Sequence, residues 1–295
     1  MKFGLNLPNF GPQIDPDGIL AWARTAERAG FDTVLLSDHV VLTDDAHRRS
    51  PAPFYECLAT LSWLAASTTT IRLGSGVLIG SHRHPAHLAH ATATIDRLSG
   101  GRLTVGVGVG WTAKAFDVLA VPVTRRGRLT DAALETLISA WTSEIYDAEG
   151  ASGRTHRVHS GPLPLQSPHP PLWIGGNGPA ALERTNRFGT AWHPLHPSRQ
   201  LCIDGSRALA PGKDFVPRVY FLPTEAPVAS TDRPLGYGSV EQIRSDIEFL
   251  TDVGASTVVL DTDPGDQRLR RSTAHDLELV ELAADSLGMR SEASV

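Results

Sequence analysis

The sequence predicts a (β/α)8 TIM-like barrel, and three observations carry that prediction. Short apolar runs rich in β-branched residues recur along the chain, without the alternation of a half-exposed strand, as parallel strands buried on both faces do. Segments of helical periodicity separate most of them, and strand–helix alternation of this kind builds a parallel sheet. The chain has 295 residues, a length suited to one closed barrel.

The clearest unit is Ile71 to Trp111. Ile71-Arg72-Leu73-Gly74-Ser75-Gly76-Val77-Leu78-Ile79 and Arg102 to Trp111 read as strands, and Pro85 to Leu98 between them has helical spacing that Ser99-Gly100-Gly101 ends. Upstream, Phe3-Gly4-Leu5-Asn6-Leu7 is a strand closed by Pro8 and Gly11, and Pro16 to Gly30 is an amphipathic helix on Ile19, Leu20, Ala23, Ala26 and Ala29. Thr33 to Leu36 is the second strand, ending in Ser37-Asp38-His39. A loop through Asp44, Asp45, Arg48 and Arg49 then leads to a helix from Pro53 to Ser67.

Beyond Trp111 the pattern is irregular until a helix at Asp131 to Trp141, with Thr130 or Asp131 as its cap. An excursion loop is expected around residues 145–170, where Gly, Ser and Pro gather. Pro171 to Ile174 is a strand entering Gly175-Gly176-Asn177-Gly178, and Pro179 opens the next helix at its favoured position. Thr190 to His193 and Arg218 to Leu222 are strands joined by a weakly patterned link through Cys202 and Pro211. Ser239 to Val253 is a helix, Thr257 to Asp261 the eighth strand, and Ala274 to Leu287 the closing helix. The expectation is one domain over residues 1–290 and a disordered tail at 291–295.

A net charge of −5 gives no general pull towards nucleic acid or anionic membrane. Two cysteines are too few for a disulfide framework, and with a strand starting at Met1 and no run long enough to span a bilayer, a cytoplasmic protein is expected.

In a (β/α)8 barrel the reacting groups sit at the C-terminal ends of the strands. The strand ends here bring Asn6, Asn9, Asp38, His39, the glycines from Gly74 to Gly80, Gly106 to Trp111, Gly175 to Gly178, Trp192, His193 and Asp261 to one rim. That rim is rich in backbone and aromatic surface and poor in acids, which suits a large planar cofactor better than a metal-dependent hydrolase. Gly175 to Gly178, between a strand and a helix, is either a phosphate cradle or a plain tight turn, and the barrel context favours phosphate. Gly106-x-Gly108-x-Gly110 lacks dinucleotide-fold spacing; it either admits a ring close to the backbone or only supplies small inward residues. Asp38-His39 is the acid/base candidate, since a carboxylate beside a histidine tunes its pKa and orients its ring. His84, His87 and His90 step by three along one helix and diverge, so no metal is expected.

These pieces together resemble the luciferase-like monooxygenase superfamily, within it the branch of oxidoreductases that use the deazaflavin coenzyme F420. The stretches that carry the resemblance are Gly30 to Asp38-His39, Arg72 to Leu78, Arg97 to Arg102, Gly106 to Trp111 and Pro170 to Asn177. The resemblance implies a TIM-like barrel holding a flavin-type ring against the third strand, with a non-proline cis peptide at Gly76-Val77. It implies that Gly108, Val109 and Gly110 line the ring and that Gly175, Gly176 and Asn177 meet the phosphate. His39 with Asp38 then serves as acid/base or substrate-orienting pair, while Asn6, Trp111, Trp192 and His193 line the substrate pocket. Some sugar-phosphate and alcohol dehydrogenases of this kind carry a glutamate where this chain has Trp111, which removes a proton donor and argues against a sugar phosphate.

The expected activity is hydride transfer between F420 and a small to medium organic substrate by a homodimer. The rival is an FMN-dependent monooxygenase using reduced flavin and dioxygen, because a deazaflavin lacks the N5 chemistry that activates oxygen. A flavin-binding protein without turnover is the third reading.

Overall fold

The computed structural model describes residues 1–150, 152–265 and 272–289, so the tail expected at 291–295 lies outside it. The first half runs β1 (Lys2–Leu7), α1 (Pro16–Arg28), β2 (Thr33–Leu36), α2 (Asp44–Arg49), α3 (Cys57–Ser67), β3 (Arg72–Ser75), β4 (Leu78–Ile79), α4 (Pro85–Leu98) and β5 (Leu103–Gly108). Then come α5 (Ala113–Val118), α6 (Arg126–Thr142), β6 (Ile145–Glu149), β7 (Thr155–His159), β8 (Leu172–Gly175), α7 (Pro179–Phe188), β9 (Ala191–His193) and α8 (Arg199–Ala208). The last stretch holds β10 (Asp214–Phe215), β11 (Arg218–Tyr220), β12 (Leu222–Pro223), β13 (Tyr237–Gly238), α9 (Val240–Asp252), β14 (Thr257–Asp261) and α10 (Thr273–Ser286).

The main sheet has the order β10-β9-β8-β5-β3-β2-β1-β14-β11, with β4 continuing β3 along β5, and every pairing in it is parallel. Its two ends are one broken strand: β10 and β11 flank Val216-Pro217, and the Ser256 and Val259 N–H groups donate to the Phe215 and Pro217 carbonyls. The sheet therefore closes into a barrel of eight strand positions, the (β/α)8 arrangement the periodicity predicts.

Local chemistry sets the element ends. Asp15 caps α1 by accepting from the Gly18 N–H and Pro16 opens it, while Ser239 and Gln242 form a reciprocal capping box on α9. Four elements depart from the sequence expectation. In the loop expected at 44–49 lies α2, whose acids Asp44 and Asp45 sit in the first turn and whose basic residues sit in the last, matching the helix dipole. It buries only Ala46 and so shows no apolar period. The helix expected at Asp131 begins at Arg126, and Thr130 is a buried interior residue instead of a cap. Residues Ala113–Val118 are helical where no element is expected. The link through Cys202 is the helix α8, which buries the small residues Cys202 and Gly205; the Trp192 ring lies against Gly205, where a Cβ would fall 2.1 Å from it. Small residues give little hydropathic signal. The excursion at 145–170 contains the antiparallel hairpin β6–β7.

The large apolar cluster, with Trp22, Leu61, Leu137, Trp141 and Trp192, lies where the helices meet the outside of the barrel. A smaller cluster of Leu35, Trp173, Ala191, Val216 and Val259 fills its inside. Among the described residues no helix is long and apolar enough to cross a membrane.

Candidate active site

The inner cluster is one layer of inward-facing residues, and the alternation of side chains along each strand puts the next layer two residues on. That layer comprises Asn6, Gly76, Gly175, His193, Arg218 and Asp261, and it floors the C-terminal mouth. Hydrogen bonds join Arg218, Asp261, Asn6 and Gly76 within it. Arg218 donates to Asp261 Oδ2 from Nε (2.9 Å) and Nη2 (2.7 Å), and Nη1 reaches the Gly76 carbonyl at 3.0 Å. Asn6 Nδ2 donates to Asp261 Oδ1 at 3.3 Å, and His196 Nε2 lies 3.1 Å from Asp261 Oδ2. Burial alone raises the pKa of Asp261, but the Arg218 charge and the His196 contact outweigh it and hold the carboxylate well below its ordinary range.

His193 is buried beside this pair. Its Nδ1 lies 2.7 Å from the Val216 carbonyl, which can only accept, so Nδ1 carries the proton and Nε2 faces Gly76 as an acceptor. Burial pushes its pKa down to about 4, against the Val216 contact, which favours the charged form.

The peptide between Gly76 and Val77 is cis. Ser75 Oγ bridges to β5, donating to the Gly106 carbonyl and accepting from its N–H, both at 2.9 Å. Val77 then lies over the glycines of two neighbouring strands. A Cβ on Gly108 would fall 2.7 Å from Val77 Cγ2, one on Gly175 3.0 Å from Val77 Cγ1, and one on Gly106 2.0 Å from the Ser75 carbonyl oxygen. Gly106, Gly108 and Gly175 thus admit the β3–β4 segment, which corrects the expectation that the glycine run itself opens space for a ring. Half-buried Gly76, Val77, Val109 and Gly110 are what the mouth presents.

On the rim, Asp38 and His39 follow β2. Both Asp38 oxygens are engaged by Arg83, at 2.7 and 2.8 Å, and Oδ2 also accepts from the Ile79 N–H at 3.1 Å. Asp38 is therefore the anchor of Arg83 and of the β3–β4 segment, which corrects its expected role as the group that orients His39. Arg83 also contacts Glu56, and these acids raise its pKa although burial opposes them. His39 packs edge-on against Phe54 (5.3 Å) and Trp111 (6.3 Å), and its Nδ1 is buried with no protein partner. Burial pushes the His39 pKa below its ordinary value, and the nearby charges of Asp38 and Asp45 only partly restore it. Trp111 is half exposed, with the Arg49 guanidinium 5.3 Å from its ring. Asn9 ties two loops together, donating to the Ser37 and Tyr55 carbonyls and accepting from the Ser37 N–H.

After β8, Gly176 has a positive φ of 132°, and Gly178 caps α7 without a side-chain bond, leaving exposed backbone at a helix N-terminus. Asn177 spends its side chain on Leu195, accepting from the N–H (2.9 Å) and donating to the carbonyl (2.8 Å). An anion here meets backbone and dipole, not the Asn177 amide. Trp192 is fully buried between the barrel and α8, stacked on Phe215, and its Nε1 donates to the Gly176 carbonyl. It supports the turn from behind, which corrects its expected place in the substrate pocket. The histidines upstream of α4 and along it scatter: His82 is buried, His84 caps the helix, and His87 and His90 are exposed. Among the described residues no group of three or more His, Cys, Asp or Glu is placed to hold a metal ion.

Sequence reasoning missed Arg218 and the clamp role of Arg83. An arginine inside the apolar strand run Arg218-Val219-Tyr220-Phe221 was a usable signal, because a charge facing a barrel interior requires a partner there.

An F420-dependent hydroxymycolic acid dehydrogenase of Mycobacterium tuberculosis is 29% identical over 210 residues, covering 68% of this chain and 56% of that protein. The chain spans about half to two thirds of the length of the curated relatives it matches. In fold it resembles the monooxygenase RslO1 from Streptomyces bottropensis, with a TM-score of 0.78 at 20% identity over 97% of this chain and 98% of that one. An F420-dependent secondary alcohol dehydrogenase in complex with an F420-acetone adduct superposes with a TM-score of 0.75 at 16% identity, covering 98% and 99% of the two chains. The sequence model described as luciferase-like monooxygenase matches residues 1–200, the stretch that builds β1 through β9 with Val77, His39 and the glycine turn, and so the chain belongs to the luciferase-like monooxygenase family.

Proposed function

We propose that the chain is an F420-dependent oxidoreductase that transfers a hydride between the deazaflavin and a small to medium organic substrate. The observation that carries the reading is His39, poised at the mouth with an unpartnered buried Nδ1 and a lowered pKa, so that its neutral ring can accept or pass a proton near neutral pH. The residues present fit the cofactor. Val77 offers an apolar platform beside Gly108, Val109 and Gly110, and Gly175 to Gly178 at the uncapped start of α7 offer backbone to a phosphate. The deazaflavin, when bound, supplies two-electron hydride chemistry and no oxygen activation. This chain's residues do the rest: Arg218 and Asp261 hold the floor, Asp38 and Arg83 fix the β3–β4 segment, and Trp111 with Phe54 shields His39 from water. Asn6, whose Oδ1 is buried without a partner, is a further polar contact at the floor.

A second reading, an FMN-dependent monooxygenase, draws support from the match to the luciferase-like monooxygenase family. Both readings place residues 1–290 in one domain and leave Leu98, Val118 and Leu165 as exposed apolar surface for a second copy, a homodimer in the cytoplasm. Fluorescence titration of the protein with F420 and with FMN tests the choice. Micromolar or tighter binding of F420 with much weaker FMN is expected; the reverse preference moves the chain to the oxygen-using reading, and binding of neither ends both.

A further inference from the structure

The floor of the mouth spends its donors inside the protein and leaves acceptors over. Asp261, held ionised by Arg218, can only accept, so the Asn6 amide nitrogen turns to it and the Asn6 Oδ1 stays buried without a partner among the described residues. His196, in the turn after β9, is oriented by the same carboxylate. Its Nε2 lies 3.1 Å from Asp261 Oδ2 and therefore carries a proton, which makes Nδ1 the acceptor of the uncharged ring. His193 repeats the arrangement with Nδ1–H on the Val216 carbonyl, and its accepting Nε2 lies 3.7 Å from where a Cβ on Gly76 would sit. No described residue donates to any of these three atoms. Arg218 links them, since it holds Asp261 and reaches the Gly76 carbonyl.

His196 is also held against its backbone preference. Its φ is +43°, a left-handed conformation that is costly for a residue other than glycine and persists only where the surroundings determine it. Here the Arg218 carbonyl accepts from its N–H at 2.8 Å, Asn177 engages both backbone groups of Leu195, and Tyr220 stacks on the ring at 3.8 Å. The side chain keeps 24% of its surface open, so a ligand in the mouth can reach it.

We propose that these acceptors recognise the substrate, and that the substrate carries an uncharged amide-type N–H group, as in a primary carboxamide. The inference rests on the oxidoreductase reading and adds the substrate class to it. An acceptor that meets an N–H gains a hydrogen bond, whereas a carboxylate or phosphate turns lone pairs to lone pairs and leaves it unsatisfied. A hydroxyl has one proton to give and a primary amide two, so several open acceptors favour nitrogen. An ammonium group has three but brings a charge. The carboxylate of this layer is already matched by Arg218, so a cation entering here loses hydration without gaining a counter-ion.

The test is nuclear magnetic resonance of the full chain labelled with 15N in its histidine rings, titrated at pH 8 with propionamide, N,N-dimethylpropionamide and propionate, beside a fluorescence titration with F420. His193→Gln and His196→Gly assign the two rings by loss of their signals, and glycine accepts the positive φ, so the second variant keeps its backbone. The expected result is an Nδ1–H ring at His193 and an Nε2–H ring at His196. Propionamide shifts the accepting nitrogen of each ring and binds at least tenfold more tightly than its dimethyl analogue, propionate shifts neither, and His196→Gly weakens propionamide at least fivefold. The opposite tautomer at either histidine, equal binding of the dimethyl analogue or of propionate, or unchanged propionamide affinity in His196→Gly overturns the proposal. Binding of F420 without any propionamide shift overturns it and leaves the oxidoreductase reading standing. If propionamide binds as expected but F420 does not, that reading falls and the assignment as a substrate site falls with it, while amide recognition by the floor stands.

Discussion

Arg218 on β11 reaches across the barrel to the Gly76 carbonyl on the far side, 3.0 Å from its Nη1, while its other two donors hold Asp261. Three donors are thereby spent on two acceptors that neither backbone pairing nor solvent would satisfy. Removing the cation leaves a buried carboxylate without its arginine partner, a loss of about 3–5 kcal/mol. Arg218→Met is expected to lower stability by that order in urea unfolding. Adding Asp261→Asn is expected to restore part of it, because the uncompensated charge is then gone. Equal stability of Arg218→Met and wild type shows that the pair does not hold the floor.

Val77 and the glycines beneath it give a second test. Gly108→Ala forces its Cβ to within 2.7 Å of Val77 Cγ2, an overpacking of about 1–3 kcal/mol. Val77→Ala removes that atom, so Val77→Ala/Gly108→Ala is expected to melt closer to Val77→Ala than additivity allows. Gly106→Ala meets the Ser75 carbonyl oxygen at 2.0 Å, and no side-chain truncation relieves it. Rescue of Gly106→Ala by Val77→Ala, or its absence for Gly108→Ala, contradicts this packing.

The barrel was legible because its strands are buried on both faces, and runs such as Thr257-Val258-Val259-Leu260 announce that state without help from neighbours. Elements held by small or charged residues were not: α8 packs on Gly205 and Cys202, and α2 buries one alanine. In the site, sequence position brought the right stretches to the rim but could not say what each side chain faces. The stretch Trp192-His193 illustrates this: one residue packs outward against α8, and the next points inward at Gly76. Asp38 and His39 are likewise adjacent in sequence, yet Arg83, 45 residues away, takes the carboxylate. Pairings of this kind are set by closure of the barrel, which no local pattern encodes.

His39 carries the pH prediction for activity. Burial lowers its pKa below 6.5, so the ring is neutral at pH 7 and becomes protonated only in more acid solution. If the neutral ring is the active form, the rate rises with pH through a single limb centred below 6.5 and is flat above it. Asp45 raises the His39 pKa, so Asp45→Asn is expected to move that limb to still lower pH. His39→Gln is expected to abolish the limb and lower kcat by about 10²–10⁴-fold, the usual contribution of a positioned proton-transfer group. A limb that stays in place in His39→Gln assigns it to another group.

The buried histidines make the fold itself acid-sensitive, and the sign follows from which state binds protons. Burial pushes the pKa of His193 down to about 4, and that of His82 likewise to about 4 despite the nearby Asp38. In the unfolded chain both return to about 6.5. Between these values the unfolded state binds more protons, so stability is complete above pH 6.5 and falls as the pH drops towards 4. For fully buried His193 the ceiling is about 3 kcal/mol, because each tenfold change in proton affinity is worth about 1.4 kcal/mol. Glu27 acts in a lower window. Burial tends to raise its pKa, but the N–H groups of Thr69, Thr70 and Ile71 hold it at about 2, so its contribution is lost only below about pH 4.5. Urea midpoints measured at pH 7, 5.5 and 4.5 are therefore expected to fall steadily. In His193→Gln, whose amide can still donate to the Val216 carbonyl, the slope between pH 6.5 and 4.5 is expected to flatten by about half. An unchanged slope in that variant assigns the acid sensitivity elsewhere.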